Sequence, residues 1–173
     1  SAWRLFEPAR GLTTAARSGY SISKRKLYMK HGGYSMKVVN FGSLNIDYIY
    51  QMAHFIRPGE TAPCKTLTAG CGGKGLNQSI AFARAGATVF HAGCIGEDGE
   101  KLRRMLADNH VDTTFVRMMK QTPCGHAIIQ VTGEGENCIL LFGGANLCVD
   151  RAFADSVLAN FGEGDFLMLQ NEI

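Results

Sequence analysis

From Met36 onward the apolar positions of this chain fall in short runs that alternate with segments of helical spacing, the pattern of a sheet wrapped by crossover helices. Val38 to Phe41 is the first run and reads as a strand. Leu76 to Ala85 reads as a helix with Ile80, Ala81, Ala83 and Arg84 bracketing its buried side, and Gly86 stands where helices commonly stop. Thr88 to Ile95 returns as a strand. In the segment Glu97 to Asn109, Leu102, Met105 and Leu106 have the i, i+3, i+4 spacing that turns side chains toward a core, which predicts a second helix. Val111 to Arg117 follows as a short extended stretch.

Gly125 to Val131 and Cys138 to Phe142 are strand-like runs joined by Thr132 to Asn137, a polar, glycine-containing connection suited to a hairpin. This interrupts the alternation of strand and helix. A hairpin inserted into an α/β domain has to cover something, and a flap over a ligand site is one such use. Val149 to Asn160 then reads as a helix starting near Asp150, and Phe166 to Gln170 as a final buried strand. Because α/β domains rarely close on a strand with nothing after it, the pattern predicts a chain that stops partway through its fold. Residues 1–35 lack sustained periodicity, and Met36 reads as the natural start; the segment before it is expected to be a disordered leader, either a transit peptide or, the preferred reading, vector-derived or upstream sequence.

Charge sharpens this division. Residues 1–35 carry seven basic side chains against Glu7 alone, +6, which leaves residues 36–173 at −3. A mildly acidic body argues against nucleic acid, whose phosphates call for clustered basic residues on the folded surface. No run of eighteen apolar residues occurs, so no transmembrane helix is expected. The six cysteines are scattered without a C-x-x-C pair or zinc-like histidine spacing, which points to reduced thiols and a cytoplasmic protein without structural zinc.

The candidate chemistry lies in two glycine-bearing segments. Gly70-Cys-Gly-Gly-Lys-Gly75 is not a Walker A loop, since that motif needs four residues between its glycines and a Ser or Thr after the Lys. It does satisfy G-x-G-x-x-G, with a helix, a strand and Glu97 about 20 residues on, so a dinucleotide-binding oxidoreductase domain stands as an alternative. Against that, the fingerprint should directly follow a buried strand, and Cys64 to Ala69 offers only Leu67 and Ala69 to a core. A third possibility is a non-catalytic sugar-binding module. The preferred reading joins the loop to Gly42-Ser-Leu-Asn-Ile-Asp47 at the end of the first strand, because open α/β sheets bind ligands at the carboxyl ends of their strands. Asn45 and Asp47, two apart in an extended segment, project to one side and offer an amide and a carboxylate to neighbouring hydroxyls. Gly72 and Gly73 would let backbone amides approach a ligand, and Lys74 and Asn77 add donors. Taken singly, Asn45 and Asp47 are equally suited to capping a turn, and Lys74 to being an ordinary solvated lysine.

Gly42 to Asp47, Pro58-Gly-Glu-Thr61 and Gly72-Gly-Lys-Gly-Leu-Asn-Gln78 together resemble successive motifs of the ribokinase/PfkB carbohydrate kinases, and Ser79, Gly86 and Gly96 fall at that family's spacing. The resemblance covers Met36 to Ile173. It implies a three-layer α/β/α fold with a small β-sheet lid, truncated after its N-terminal half, with lid strands near residues 48–66 and 125–142 and a homodimer contact through the lid. It implies transfer of the ATP γ-phosphate to the 5-hydroxyl of D-ribose or a similar furanose, with Asn45, Asp47, Gly73, Lys74, Asn77 and Glu172 binding the sugar. The catalytic base and the sites for ATP, Mg2+ and K+ are expected in the C-terminal half, so this chain alone is expected to be inactive.

Overall fold

The computed structural model describes residues 36–173, so the expectations for the leader lie outside the described residues. Alternation along the first strand sets the layering. In β1 (Lys37–Phe41), Val39 and Phe41 point to one face of the sheet, where they meet Phe153 and Val157, while Val38 points to the other, where it meets Leu76 and Ile80. Two apolar faces on one strand require cover on both sides, and the helices provide it.

β1 lies inside a parallel four-stranded sheet whose other members are β4 (Thr88–Gly96), β5 (Val116–Met119) and β8 (Phe166–Leu169), in the order β5-β4-β1-β8. Helices α1 (Lys74–Arg84) and α2 (Glu100–Asp108) cover one face and α3 (Arg151–Leu158) the other. Burial of Leu76, Ile80, Leu102 and Leu106, each worth about 1.5–3 kcal/mol, fixes how α1 and α2 sit. Asp150 caps α3 by accepting a hydrogen bond from Phe153 N at 2.7 Å, a contact worth about 1 kcal/mol.

A second four-stranded sheet stands apart from the first, in the order β3-β2-β6-β7, built from β2 (Asn45–Gln51), β3 (Thr66–Gly72), β6 (Gly125–Val131) and β7 (Asn137–Phe142). β2 runs antiparallel to β3 and parallel to β6, and β6 and β7 form the antiparallel hairpin that the sequence pattern predicts. Its connection closes through Thr132 N to Glu136 O at 3.0 Å, with Gly135 at φ 84° in the turn. All six residues of β7 are exposed, including Leu140 at 67%.

Several details differ from the sequence reading. The helix α1 begins two residues earlier than periodicity alone suggested, and its buried stripe runs through Leu76, Ser79 and Ile80, which face β1 and β4, with Ala81 and Arg84 exposed. Glu97 to Gly99 form a 3-10 turn before α2, and Met105 lies at the solvent edge, where Leu102 and Leu106 already fill the space beneath. The extended stretch near Val111 is reduced to one bridge between Phe90 and Asp112, and strand pairing starts only at Val116. Among the described residues β8 pairs with β1 alone, and Phe166, Leu167 and Leu169 are 57%, 48% and 67% exposed. Thr66–Gly72 is a full strand despite its sparse apolar content, since pairing with all seven residues of β2 supplies what side-chain burial does not.

Candidate functional site

The chain leaves the parallel sheet at Gly42, turns through Ser43 and Leu44, and enters the second sheet at Asn45. It returns from that sheet through β3, and Gly73 then caps the start of α1. The two passages touch. A Cβ on Gly75 would lie 2.5 Å from Gly42 Cα and from Ser43 N, so only glycine lets these backbones meet. Gly73 has φ 102°, a conformation open to glycine, and its Cβ position would face the Ser43 carbonyl. At Gly72 the space that a Cβ would take is filled by the Asp47 carboxylate.

Buried side chains fix the loop from below. Ser43 N donates to Gln170 Oε1 at 3.2 Å, Leu76 N donates to Ser43 O at 3.1 Å, and Leu44 N donates to Asn146 Oδ1 at 2.9 Å. The last bond settles the orientation of two amides. Since Leu44 N–H can only donate, Asn146 Oδ1 must accept, and its Nδ2 donates to Asn45 Oδ1 at 2.7 Å. Asn45 is 4% exposed and keeps its own Nδ2 as the remaining hydrogen-bonding group, a donor.

Asp47, next on the same face of β2, presents acceptors only. No described residue donates a hydrogen bond to its carboxylate, and its pKa is raised above the ordinary aspartate value, by burial first and by the negative charge of Glu172 second. Glu172 is treated oppositely. Burial pushes its carboxyl up, but hydrogen bonds from Lys74 and Ser43, the charge of Lys74 and a bond from Gln170 outweigh this and leave the pKa lowered. Ser43 Oγ donates to Glu172 Oε2 at 2.9 Å, and Lys74 Nζ is ion-paired with Oε1. Two carboxylates thus face one space, one neutralised and the other waiting for donors. Lys74 is otherwise exposed, and Asn77 stands exposed on the first turn of α1, its N–H bonded to Gly73 O.

Asn45, Asp47, Gly73, Lys74 and Glu172 therefore border one region, where the carboxyl ends of β1 and β8, the first residues of β2 and the start of α1 converge, and Asn77 lies one helical turn beyond Gly73. Sequence reasoning missed Ser43, Asn146 and Gln170, which shape the region from beneath. Asn146 carried a usable signal in Gly143-Gly-Ala-Asn146, where a polar residue follows small ones immediately after a strand. The dinucleotide alternative loses its footing. Its glycine loop follows β3, an antiparallel and largely exposed strand of the second sheet, where the fingerprint requires a buried strand of the parallel one.

The pfkB family carbohydrate kinase model matches residues 35–172. A ribokinase of Haemophilus influenzae is 36% identical over 133 residues, which cover 76% of this chain and 44% of that protein. A crystal structure of the Cryptococcus neoformans ribokinase in complex with ADP superposes with a TM-score of 0.71 at 36% identity, covering 82% of this chain and 42% of that one. The Arabidopsis thaliana ribokinase complexed with ribose and ATP gives a TM-score of 0.70 at 30% identity, over 81% and 46%. The chain spans less than half the length of these relatives. With the family model spanning nearly all the described residues and both ribokinase structures sharing the fold, this chain belongs to the pfkB family of carbohydrate kinases.

Proposed function

We propose that this chain is the sugar-binding portion of an ATP-dependent kinase that phosphorylates the 5-hydroxyl of D-ribose or a similar furanose. One observation carries the reading: Asn45 offers a donor and Asp47 an unpaired acceptor side by side, opposite the Lys74–Glu172 pair. A polyol needs that mixture, because each hydroxyl both donates and accepts. In this reading Asp47 accepts from two adjacent sugar hydroxyls, Asn45 and Asn77 donate, Gly73 permits close backbone approach, and Lys74 and Glu172 close the far side. Similarity to a ribokinase crystallised with ribose and ATP favours a pentose and ATP.

The second sheet is assigned as a lid over the sugar, and exposed β7 as its contact in a homodimer. ATP, Mg2+ and K+ enter the proposal with the rest of a full-length kinase, and no residue from 36 to 173 is assigned to them. Phosphoryl transfer depends on positioning and charge stabilisation from both halves, so residues 1–173 alone are expected to turn over no ATP. Among the described residues no helix is long and apolar enough to cross a membrane, and a cytoplasmic enzyme is proposed. The test is a chimera in which residues 36–172 replace the matching segment of the Haemophilus influenzae ribokinase. Ribose-dependent ADP release that is lost in Asp47→Ala supports the reading; release that survives this substitution overturns it.

A further inference from the structure

Three polar side chains lie fully buried beneath the site, where apolar ones would be the ordinary choice. Asn40 on β1, Ser79 on α1 and His91 on β4 are each 0% exposed, and Asn40 and His91 are neighbours in the parallel register. Their bonds have one consistent direction. The Gly42 carbonyl can only accept, so His91 Nε2, 3.1 Å away, carries the proton. Burial pushes the imidazole down to about 4, with the Gly42 bond opposing, so the ring is neutral at pH 7 and Nδ1 is an acceptor. Ser79 Oγ donates to Nδ1 at 2.8 Å and accepts from Asn40 Nδ2 at 2.9 Å, and the second Nδ2 proton of Asn40 goes to Gly75 O at 2.9 Å.

The two ends of this chain of bonds are the two backbones that form the site. Gly42 is where the main chain leaves the parallel sheet, and its carbonyl has no backbone partner among the described residues. Gly75 belongs to the first turn of α1, pressed against Gly42. Gly93, next but one after His91, leaves the space in which imidazole and carbonyl meet: a Cβ there would lie 2.9 Å from Gly42 O and 3.0 Å from His91 Nε2. Asn40 Oδ1 is buried without a partner among the described residues, a penalty that an apolar trio would avoid.

We propose that His91 is a positioning residue for sugar binding, holding the Gly42 carbonyl and, through Ser79 and Asn40, the start of α1, so that Asn45 and Asp47 meet the ligand at fixed spacing. This rests on the sugar-site reading. The test titrates D-ribose into the 173-residue chain, following the backbone amides of residues 42–47 and 73–77 by NMR, with His91→Asn, His91→Gln and Asp47→Ala. Gln can place its amide N–H where Nε2 stands, whereas Asn reaches only the position of Nδ1. His91→Asn is expected to weaken ribose about tenfold, and His91→Gln to stay within about threefold of the parent.

Equal weakening by both histidine variants overturns the proposal, as does unchanged affinity in His91→Asn while Asp47→Ala loses binding. If Asp47→Ala binds like the parent, or the parent shows no response to ribose, the sugar-site reading fails, and amide exchange decides the relay. Selective acceleration at Ser43 to Asn45 in His91→Asn, relieved in His91→Gln, upholds it; uniform or absent acceleration overturns it. Should His91→Asn not fold, Ser79→Ala leaves the imidazole without its anchor, and a ribose affinity and loop exchange identical to the parent's then overturn the proposal.

Discussion

Replacing Asp47 separates binding from stability, because the same feature acts on them with opposite sign. The carboxylate is half-buried, receives no hydrogen bond from the described residues and faces the charge of Glu172, so the ligand-free fold holds its pKa above the ordinary 3.8. A carboxyl with a raised folded pKa disfavours the fold once it is ionised. The penalty is full above the folded pKa and disappears as pH falls below 3.8. Asp47→Asn therefore raises the thermal midpoint of the ligand-free chain at pH 7, and the gain vanishes at the acid end. Sugar binding should move the other way. Two hydroxyls donating to one carboxylate contribute about 1.5–3 kcal/mol each, so Asp47→Ala should lower kcat/KM for ribose by on the order of 10² or more. Asn restores one acceptor and recovers only part of this. The KM for ATP should change little in either variant. Steady-state kinetics of the chimera, with ribose and ATP varied separately, and thermal melts of the ligand-free chain across pH measure both effects. Near-normal ribose kinetics in Asp47→Ala, or an Asn variant less stable than the parent at pH 7, would refute the reasoning.

Gly75→Ala drives a Cβ into the Gly42 and Ser43 backbone, where nothing can rotate away, and should destabilise the chain by about 1–3 kcal/mol in urea titrations; an unchanged midpoint would disprove the contact. Asn146→Leu removes the partner of Leu44 N and frees the Asn45 amide to flip, so ribose affinity should fall by roughly tenfold while the helical circular dichroism stays intact. Burial holds His91 at about 4 against an ordinary 6.5, so as pH falls the unfolded chain takes up this proton first. Stability from this residue is full above pH 6.5 and drains by about 3 kcal/mol toward pH 4, and His91→Gln should lack that part of the slope in urea melts at pH 7 and 4.5.

Periodicity made the order of strands and helices legible because each buried face carries its own repeat: two for Val39 and Phe41, and four for Leu102 and Leu106. It was blind where pairing, not burial, makes the strand. Thr66 to Gly72 pairs with β2 alone among the strands, and its alternating positions carry no apolar repeat. At the site, Asn45, Asp47, Lys74 and Asn77 stood out because charged and amide groups flank glycines. Glu172 came only through the family resemblance. Asn40 and His91 stand in the sequence as single polar residues within apolar runs, and only the strand register, which pairs them beneath α1, shows what they bond.

The bonds that close the site also fix when it can form. β2 and β3, joined by one loop, bring Asn45 and Asp47 close to Gly73 and Lys74 through local contacts. Glu172 joins them only across 129 residues to Ser43 and 98 to Lys74, after β8 has docked on β1. Loops of that length close late, because the chain entropy is lost before the contact compensates for it. A newly made chain thus carries an open pair of acceptors and donors well before it carries the acid that completes their surroundings. Sugar that engages Glu172 recognises only the finished fold, so adding it during refolding should slow unfolding of the product and leave the rate of folding unchanged.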